Sequence, residues 1–271
     1  MNLPSYLKPP VREVSLAVTL NGLGLRTVDL GVIWNLFRAE YPSVEEQPPA
    51  PNPIEVFGGQ VSAPQINFQI LNRPPVPRLL LLNNSGSELA QIQTDRLGFN
   101  WRSGESKEPY PRFPHVLQRF RSVLDTVIAY SNSQPREKGQ SIVATQCEIS
   151  YVNEISVGEI GPHGDPDALL KVWQPIQSSQ LGAAEDVRIS SRHRLPNDSR
   201  TLGGRLLIDL QPVNRIDSTE AIYLLSLTVR GAPSSPDLDG VETFMNMGHE
   251  LIVRTFSEIT TTEIQHEWEV E

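Results

Sequence analysis

Residues able to do chemistry are thinly spread along this chain of 271 residues. The five histidines are His115, His163, His193, His249 and His266. None has a second histidine three or four positions away, the spacing by which one helix grips a metal ion. His249-Glu250 falls within a helical pattern, where neighbours diverge by about 100° and do not act as a unit. His266-Glu267 lies in an acidic tail. Each histidine reads as a surface or packing residue, and a metal site would have to be assembled from distant positions. The single cysteine, Cys147, excludes an intramolecular disulfide and a Cys-rich zinc site. It shares an inward strand parity with Ile149 and Tyr151, where a thiol is ordinarily inert packing. A catalytic thiol there would need a remote histidine. There is no G-x-S-x-G, P-loop, H-E-x-x-H or strand-following G-x-G-x-x-G. Asn21–Leu25 holds two glycines and reads as a turn. The sequence therefore assigns no catalytic residue, no metal ligand and no cofactor.

Two charged stretches remain as candidate contacts. Asp95-Arg96 precedes Leu97, Phe99, Asn100 and Trp101 on a strand pattern. Adjacent strand residues face opposite sides, so one of the pair is expected under the helix-covered face unless a bulge intervenes. The plainer reading is a structural salt bridge. The second stretch, Arg188 to Arg205, carries Arg188, Arg192, Arg194, Arg200 and Arg205 with His193, against Asp198 alone. Arg188 and Arg192 share strand parity with Ser190. Such a cluster suits phosphates, a nucleic-acid backbone or an acidic protein surface. It can equally neutralise the chain's own 32 acidic residues. Ligand or partner contacts are thus expected at Arg188, Arg192, Arg194, Asp95, Arg96, Asn100 and Trp101.

The formal net charge of −9 makes non-specific nucleic-acid binding unfavourable, leaving Arg188–Arg205 as its only route. A hydrophobic fraction of 38% is that of a folded protein. Met1–Pro10 lacks the pattern of a secretory signal, and Leu79–Leu82 is too short to cross a bilayer. The expectation is a cytoplasmic protein with no membrane partner. Pro48–Pro51 has the spacing of a polyproline ligand, although a stiff surface connection explains it as well.

The elements that must position these residues show helix and strand periodicities. Val14, Leu16, Val18 and Leu20 alternate with polar residues as a half-buried strand. Asp29 is placed to cap a helix bearing Leu30, Ile33, Trp34, Phe37 and Tyr41. Tyr41–Pro53 reads as a proline-rich loop, and Ile66–Ile70, Arg78–Asn83 and Leu89–Trp101 as strands. Arg112–Tyr130 is a long amphipathic helix. A polar stretch, Ser131–Ser141, then separates two halves, 1–138 and 139–271. In the second half, strands are expected at Gln146–Ile155, Val187–Leu195, Arg205–Gln211 and Ala221–Arg230. A helix starts at Asp165-Pro166, and a last helix is capped by Asp239 with Glu242. The expected fold is α+β: two similar halves, each an antiparallel sheet with helices on one face, in the order strand, helix, three strands, long helix. That repeat suggests an internal duplication. Whether the halves share one sheet stays open. The uncovered faces carry Asn67, Gln69, Gln93, Glu148 and Ser190.

Several stretches resemble an uncharacterised, sporadically distributed prokaryotic protein family. The first is Tyr6-Leu7-Lys8-Pro9-Pro10-Val11-Arg12-Glu13-Val14. The second is Gln93-Thr94-Asp95-Arg96-Leu97-Gly98-Phe99-Asn100-Trp101-Arg102, with its D-R-x-x-F-N-W-R string. Tyr110-Pro111-Arg112-Phe113 and the close around Phe256–Trp268, with Ile259-Thr260-Thr261, also fit. The second half departs more, Tyr151-Val152-Asn153-Glu154-Ile155 being its best match. The resemblance implies a bacterial or archaeal accessory protein and brings no activity, cofactor or catalytic residue. Its pattern positions are Pro10, Glu13, Asp95, Arg96, Asn100, Trp101, Tyr110 and Arg112.

The absence of a nucleophile–base or metal motif favours a non-enzymatic interaction or regulatory protein, with a protein partner or a second copy of itself. The alternative is a small-molecule binder with a cleft between the halves, lined by Trp34, Trp101, Trp173 and Tyr151. Aromatic residues at these spacings also serve as core. An enzyme of unknown class is the third reading, its catalytic groups meeting only in space.

Overall fold

The computed structural model describes residues 3–50, 76–103, 108–135, 141–160, 166–182, 184, 186–195, 203–215 and 220–271. The strands are β1 (Val11–Asn21), β2 (Ser43–Gln47), β3 (Arg78–Leu82), β4 (Glu88–Ile92), β5 (Arg96–Arg102), β6 (Val143–Ser156), β7 (Ile189–Leu195), β8 (Gly204–Asn214) and β9 (Ala221–Gly231). They form one antiparallel sheet in the order β2-β3-β4-β5-β1-β6-β9-β8-β7. The helices are α1 (Thr27–Phe37), α2 (Phe113–Ser133), α3 (Pro166–Leu169), α4 (Leu238–Ile259) and α5 (Thr262–Glu267). Among the described residues, no helix is long and apolar enough to cross a membrane.

Strand alternation builds the core. Val14, Leu16 and Val18 on β1 are fully buried and stand opposite Trp101, Phe99 and Leu97 of β5. On the other side of β1, they oppose Tyr151, Ile149 and Cys147 of β6. Helix α2 covers β5 and β1 with Phe113, Val116, Phe120, Val123, Leu124 and Val127, and α4 covers β6 and β9. The intervening strand positions, Ser15, Ala17, Gly98, Asn100, Glu148 and Ser150, face away from these helices.

Several sequence expectations are corrected. Leu89–Trp101 is a hairpin, β4 and β5, turned at Gln93-Thr94-Asp95. The Gln93 N–H donates to the Arg96 carbonyl at 2.9 Å, and the Gln93 amide donates to Asp95 at 2.9 Å. Neither Glu45 nor its neighbours lie in a loop: Ser43–Gln47 is a strand at one end of the sheet. Arg26, rather than Asp29, is the N-cap of α1. Asp29 sits in the first turn, where it accepts from the Arg26 N–H at 2.7 Å and from Tyr130 at 2.8 Å. Burial opposes the charge on Asp29, yet these partners hold its carboxyl below the usual range. Helix α4 is capped by Asp237, which accepts from the Gly240 N–H at 2.8 Å, and not by Asp239. The acidic tail contains α5, capped by Thr261 and followed by the buried Trp268. The helix at Pro166 is only four residues long and excludes Trp173. The strand expected at Ile66–Ile70, the residues Asn67 and Gln69, His163 and the 138/139 boundary lie outside the described residues.

Gly248 sets the depth at which α4 packs. A Cβ there would stand 2.6 Å from Cγ2 of Ile149, a branched side chain with no free space. Gly248→Ala is expected to destabilise the fold by about 1–2 kcal/mol in urea unfolding. In an Ile149→Ala background the same change becomes neutral or stabilising, because alanine is the better helix former by about 1 kcal/mol. Equal costs in both backgrounds would disprove the contact.

Candidate functional site

An apolar hollow of about 260 Å³ lies on the helix side of the sheet, between β6, the start of α2, the middle of α4 and the segment Leu3–Val11. Phe113, Ile252 and Phe256 supply its apolar lining. Its polar groups form a relay. The hydroxyls of Tyr110 and Tyr151 lie 3.0 Å apart, and the Tyr151 hydroxyl lies 2.8 Å from His249 Nδ1. The His249 ring stacks on Phe113 at 4.0 Å, with 9° between the planes. Trp101 supports Tyr110 from the sheet, ring centre to ring centre 5.2 Å.

Local structure explains how these groups meet. Parity on β6 turns Tyr151 toward the helices together with Ile149 and Asn153. The Asn153 amide donates to the Leu225 carbonyl at 3.0 Å and so is fixed in the wall. Arg112, the N-cap of α2, has φ +74° and ψ +155°. That region is close to glycine-only, and a side chain there carries strain of about 1–3 kcal/mol. The Arg112 guanidinium donates to the Tyr6 carbonyl at 2.9 Å, holding the N-terminal segment over the hollow. The same segment pairs with the end of the chain. Leu7 N–H donates to Glu269, Lys8 N–H to Trp268 and Glu271 N–H to Ser5, at 3.0, 3.1 and 2.9 Å, and Lys8 forms an ion pair with Glu269.

The relay groups are buried, and their titrations follow. Burial pushes the Tyr110 and Tyr151 hydroxyls well above their ordinary range and depresses His249 to about 4. At neutral pH the relay is uncharged, and it has two hydrogen-bond directions. With a proton on His249 Nε2, Tyr110 donates to Tyr151 and Tyr151 to His249. With the proton on Nδ1, the chain runs the other way and Tyr110 is left to donate outward. His249 Nε2 has no partner among the described residues.

Of the residues singled out in the sequence, Tyr151, expected in a cleft lining, and Pro10, Tyr110, Arg112 and His249 line this hollow, and Trp101 adjoins it through Tyr110. Arg96 and Asn100 lie on the opposite face of the sheet. Arg96 donates to Glu148 at 2.8 Å, while Asn100 bonds Glu13 and accepts from Gln91 at 2.6 Å. Asp95 is in the β4–β5 turn, so neither member of the Asp95-Arg96 pair is forced under the helices. Arg192 and Arg194 sit on the far edge strand β7, exposed, and Arg188 lies just before it. The structure therefore does not unite the arginine stretch with Asp95, Asn100 and Trp101. Cys147 is fully buried and its thiol is pushed up by burial. Neither Trp34 nor Trp173 lines the hollow. Among the described residues, no group of three or more His, Cys, Asp or Glu side chains is placed to hold a metal ion. The sequence names Tyr110, Tyr151 and His249 separately but not their meeting, because they come from the residues before α2, from β6 and from α4, far apart in the chain. The one available sign was a histidine inside an apolar helical stripe. No family model and no curated protein matches the chain.

His249 should make the protein acid-sensitive. The unfolded chain takes up its proton near pH 6.5 and the folded one near 4, so the unfolded state binds more protons between these values. Stability is then lost as pH falls from 6.5 toward 4, by up to about 3 kcal/mol from this group. Urea unfolding at pH 7 and pH 4.5 should show a smaller loss for His249→Phe, which keeps the stack on Phe113. An identical loss in both proteins would show that His249 does not titrate as described.

Proposed function

We propose that this protein binds a small, neutral, largely apolar molecule in the hollow between its two halves. The observation that carries the reading is a pre-formed apolar cavity whose few polar groups converge on one uncharged relay, Tyr110–Tyr151–His249. Such a lining selects for apolar bulk with one hydrogen-bonding group. The reversible relay can meet either a donor or an acceptor, since His249 Nε2 and the Tyr110 hydroxyl exchange roles with the tautomer. A cationic ligand would lose its hydration with no carboxylate among the described lining residues and is disfavoured. The volume, about 260 Å³, lies just below the usual span of about 300–1,000 Å³, so the ligand is small.

The internal duplication is part of this reading. Outward from the centre, the order is β1, β5, β4, β3 on one side, with β2 as an extra edge strand, and β6, β9, β8, β7 on the other, and a long helix follows the last strand of each set. That parallel order supports two copies of one unit, with the hollow where their helices meet. The likeness of the pattern positions Pro10, Tyr110 and Arg112 to the prokaryotic family supports an accessory role, since these residues line the same hollow.

A protein-interaction role is the second reading, favoured by one observation. Val28, Val32 and Leu36 form an outward stripe on α1 and are 68, 47 and 50% exposed. If α1 mediates association, Val32→Asp will lower the sedimenting mass of the native assembly and leave the fold intact.

The ligand reading is tested by gentle purification, native mass spectrometry and solvent extraction. Wild-type protein should carry a stoichiometric small molecule that Val253→Trp, which fills the hollow, lacks. An equal load in the two proteins, or none in either together with no saturable binding of an apolar fluorescent dye, would overturn it.

A further inference from the structure

A second hollow, of about 240 Å³, lies on the other face of the sheet. Its floor is made of small residues. Gly98 and Ala17 face each other across β5 and β1, with Ser15 beside them. A Cβ at Gly98 would come 3.1 Å from the Leu16 carbonyl and 3.5 Å from Ala17 Cβ. Its walls are cationic and amide-bearing: Arg78, Arg96 and Arg230, with Gln91, Gln93 and Asn100, against one carboxylate among the described lining residues, Glu148.

The arginines are not equivalent. Arg96 and Arg230 both donate to Glu148, one to each carboxylate oxygen. Arg78 lies across the hollow, where its Nη1 donates to the neutral Gln91 amide at 3.0 Å. Its Nε is buried and has no acceptor. Among the described residues, no carboxylate is paired with Arg78. A buried, charged donor with no acceptor costs more than a neutral one, which already loses about 1–3 kcal/mol. Where such a group faces a hollow already richer in cations than anions, a ligand anion supplies the missing acceptor. A guanidinium presenting Nε and a terminal nitrogen matches the two oxygens of a carboxylate or phosphate.

We propose that this polar-face hollow binds a small oxyanion, a carboxylate or phosphate group, clamped by Arg78 against Arg96 and Arg230, with the Asn100 and Gln91 amides as neighbours. Glu148 divides Arg96 and Arg230 and keeps them extended toward the hollow. The site stands on different residues from the apolar hollow and does not depend on it.

The test is thermal unfolding of the whole protein against rising inorganic phosphate and, separately, acetate, with chloride balancing the ionic strength. Phosphate, acetate or both should raise the melting temperature with saturation, and the more effective anion identifies the class. Arg78→Met should weaken the half-saturating concentration at least tenfold. Arg194→Met, on the distant edge strand, should leave it within twofold. No saturable rise with either anion, or equal saturation in Arg78→Met, would overturn the site. Should Arg78→Met fail to fold, Arg78→Lys keeps the charge and loses the fork. Several-fold weaker phosphate or acetate binding by calorimetry is then expected, and unchanged binding would again overturn the proposal.

Discussion

The pairing of β1 with β6 is the constraint on which the rest of the structure depends. These strands belong to different halves of the chain and are joined along most of their length, from Val11 opposite Asn153 to Asn21 opposite Val143. Everything else is added outward from this pair. Both hollows are cut into it, one on each face. Val11, Tyr151 and Asn153 wall the apolar one, while Ser15, Ala17 and Glu148 line the polar one. The strand period of two does this sorting. A slip of one residue would bring Glu148 beneath α4 and Tyr151 to the other face, exchanging the chemistry of both hollows. Burial of Leu16, Ile149 and Cys147 on the inner face makes that slip prohibitive. The register is therefore fixed by packing, and the sites follow from the register.

The two faces then treat charge in opposite ways. Under the helices no compensating ion is at hand for His249, and desolvation resolves the conflict by removing the charge. On the other face carboxylates and guanidinium groups stand in pairs. Glu148 takes Arg96 and Arg230, and Glu154 takes Arg12 and Arg215. Opposed arginines continue along that face, with Arg194 opposite Arg205 and Arg205 opposite Arg230. A chain with a net charge of −9 thus concentrates cations on one side of its sheet. Averages over composition conceal this, because much of the acidic excess lies elsewhere, as in the run Glu263, Glu267, Glu269 and Glu271.

How far the sequence discloses this depends on the range of the signal. The heptad-like spacing from Phe113 to Ile128 and the alternation of Val14 to Leu20 are local, and both elements are legible. Cys147 sits inward as parity requires. The β4–β5 turn is not legible, because Gln93-Thr94-Asp95 contains neither glycine nor proline, and side-chain bonds of Gln93 replace the usual turn chemistry. Strand β2 is hidden for a different reason. Ser43–Glu46 are all exposed, so burial imposes no alternation on them, and the adjoining prolines dominate the reading. The cap of α4 is hard to place because Asp237, Asp239 and Glu242 compete at its start, and that of α1 because Arg26 is an unusual N-cap, with Asp29 in the first turn the one acidic residue nearby. The sites themselves were the least legible. Tyr151 meets His249 98 residues later, and Arg96 meets Glu148 after 52; no spacing rule spans such separations.

Backbone strain distinguishes the two sides of the apolar hollow. Among the described residues, Arg112 and Glu269 are the non-glycine residues with positive φ, at +74° and +55°. Both grip the segment Leu3–Val11, Arg112 through the Tyr6 carbonyl and Glu269 through Leu7 and Lys8. This wall is held by two strained residues, a short bridge from Tyr6 to Val270 and an exposed ion pair, which contributes little in water. Behind the hollow stands β6, paired on both edges and packed under α4. The difference in restraint fixes where the hollow can open. Displacing β6 would break two strand ladders and the core, whereas displacing Leu3–Pro9 breaks a few hydrogen bonds and leaves both ladders whole. Tyr6 opposes that displacement through its edge contacts with Phe256 and Trp268, at 5.7 and 6.2 Å. Aromatic packing therefore holds this wall of the hollow in place.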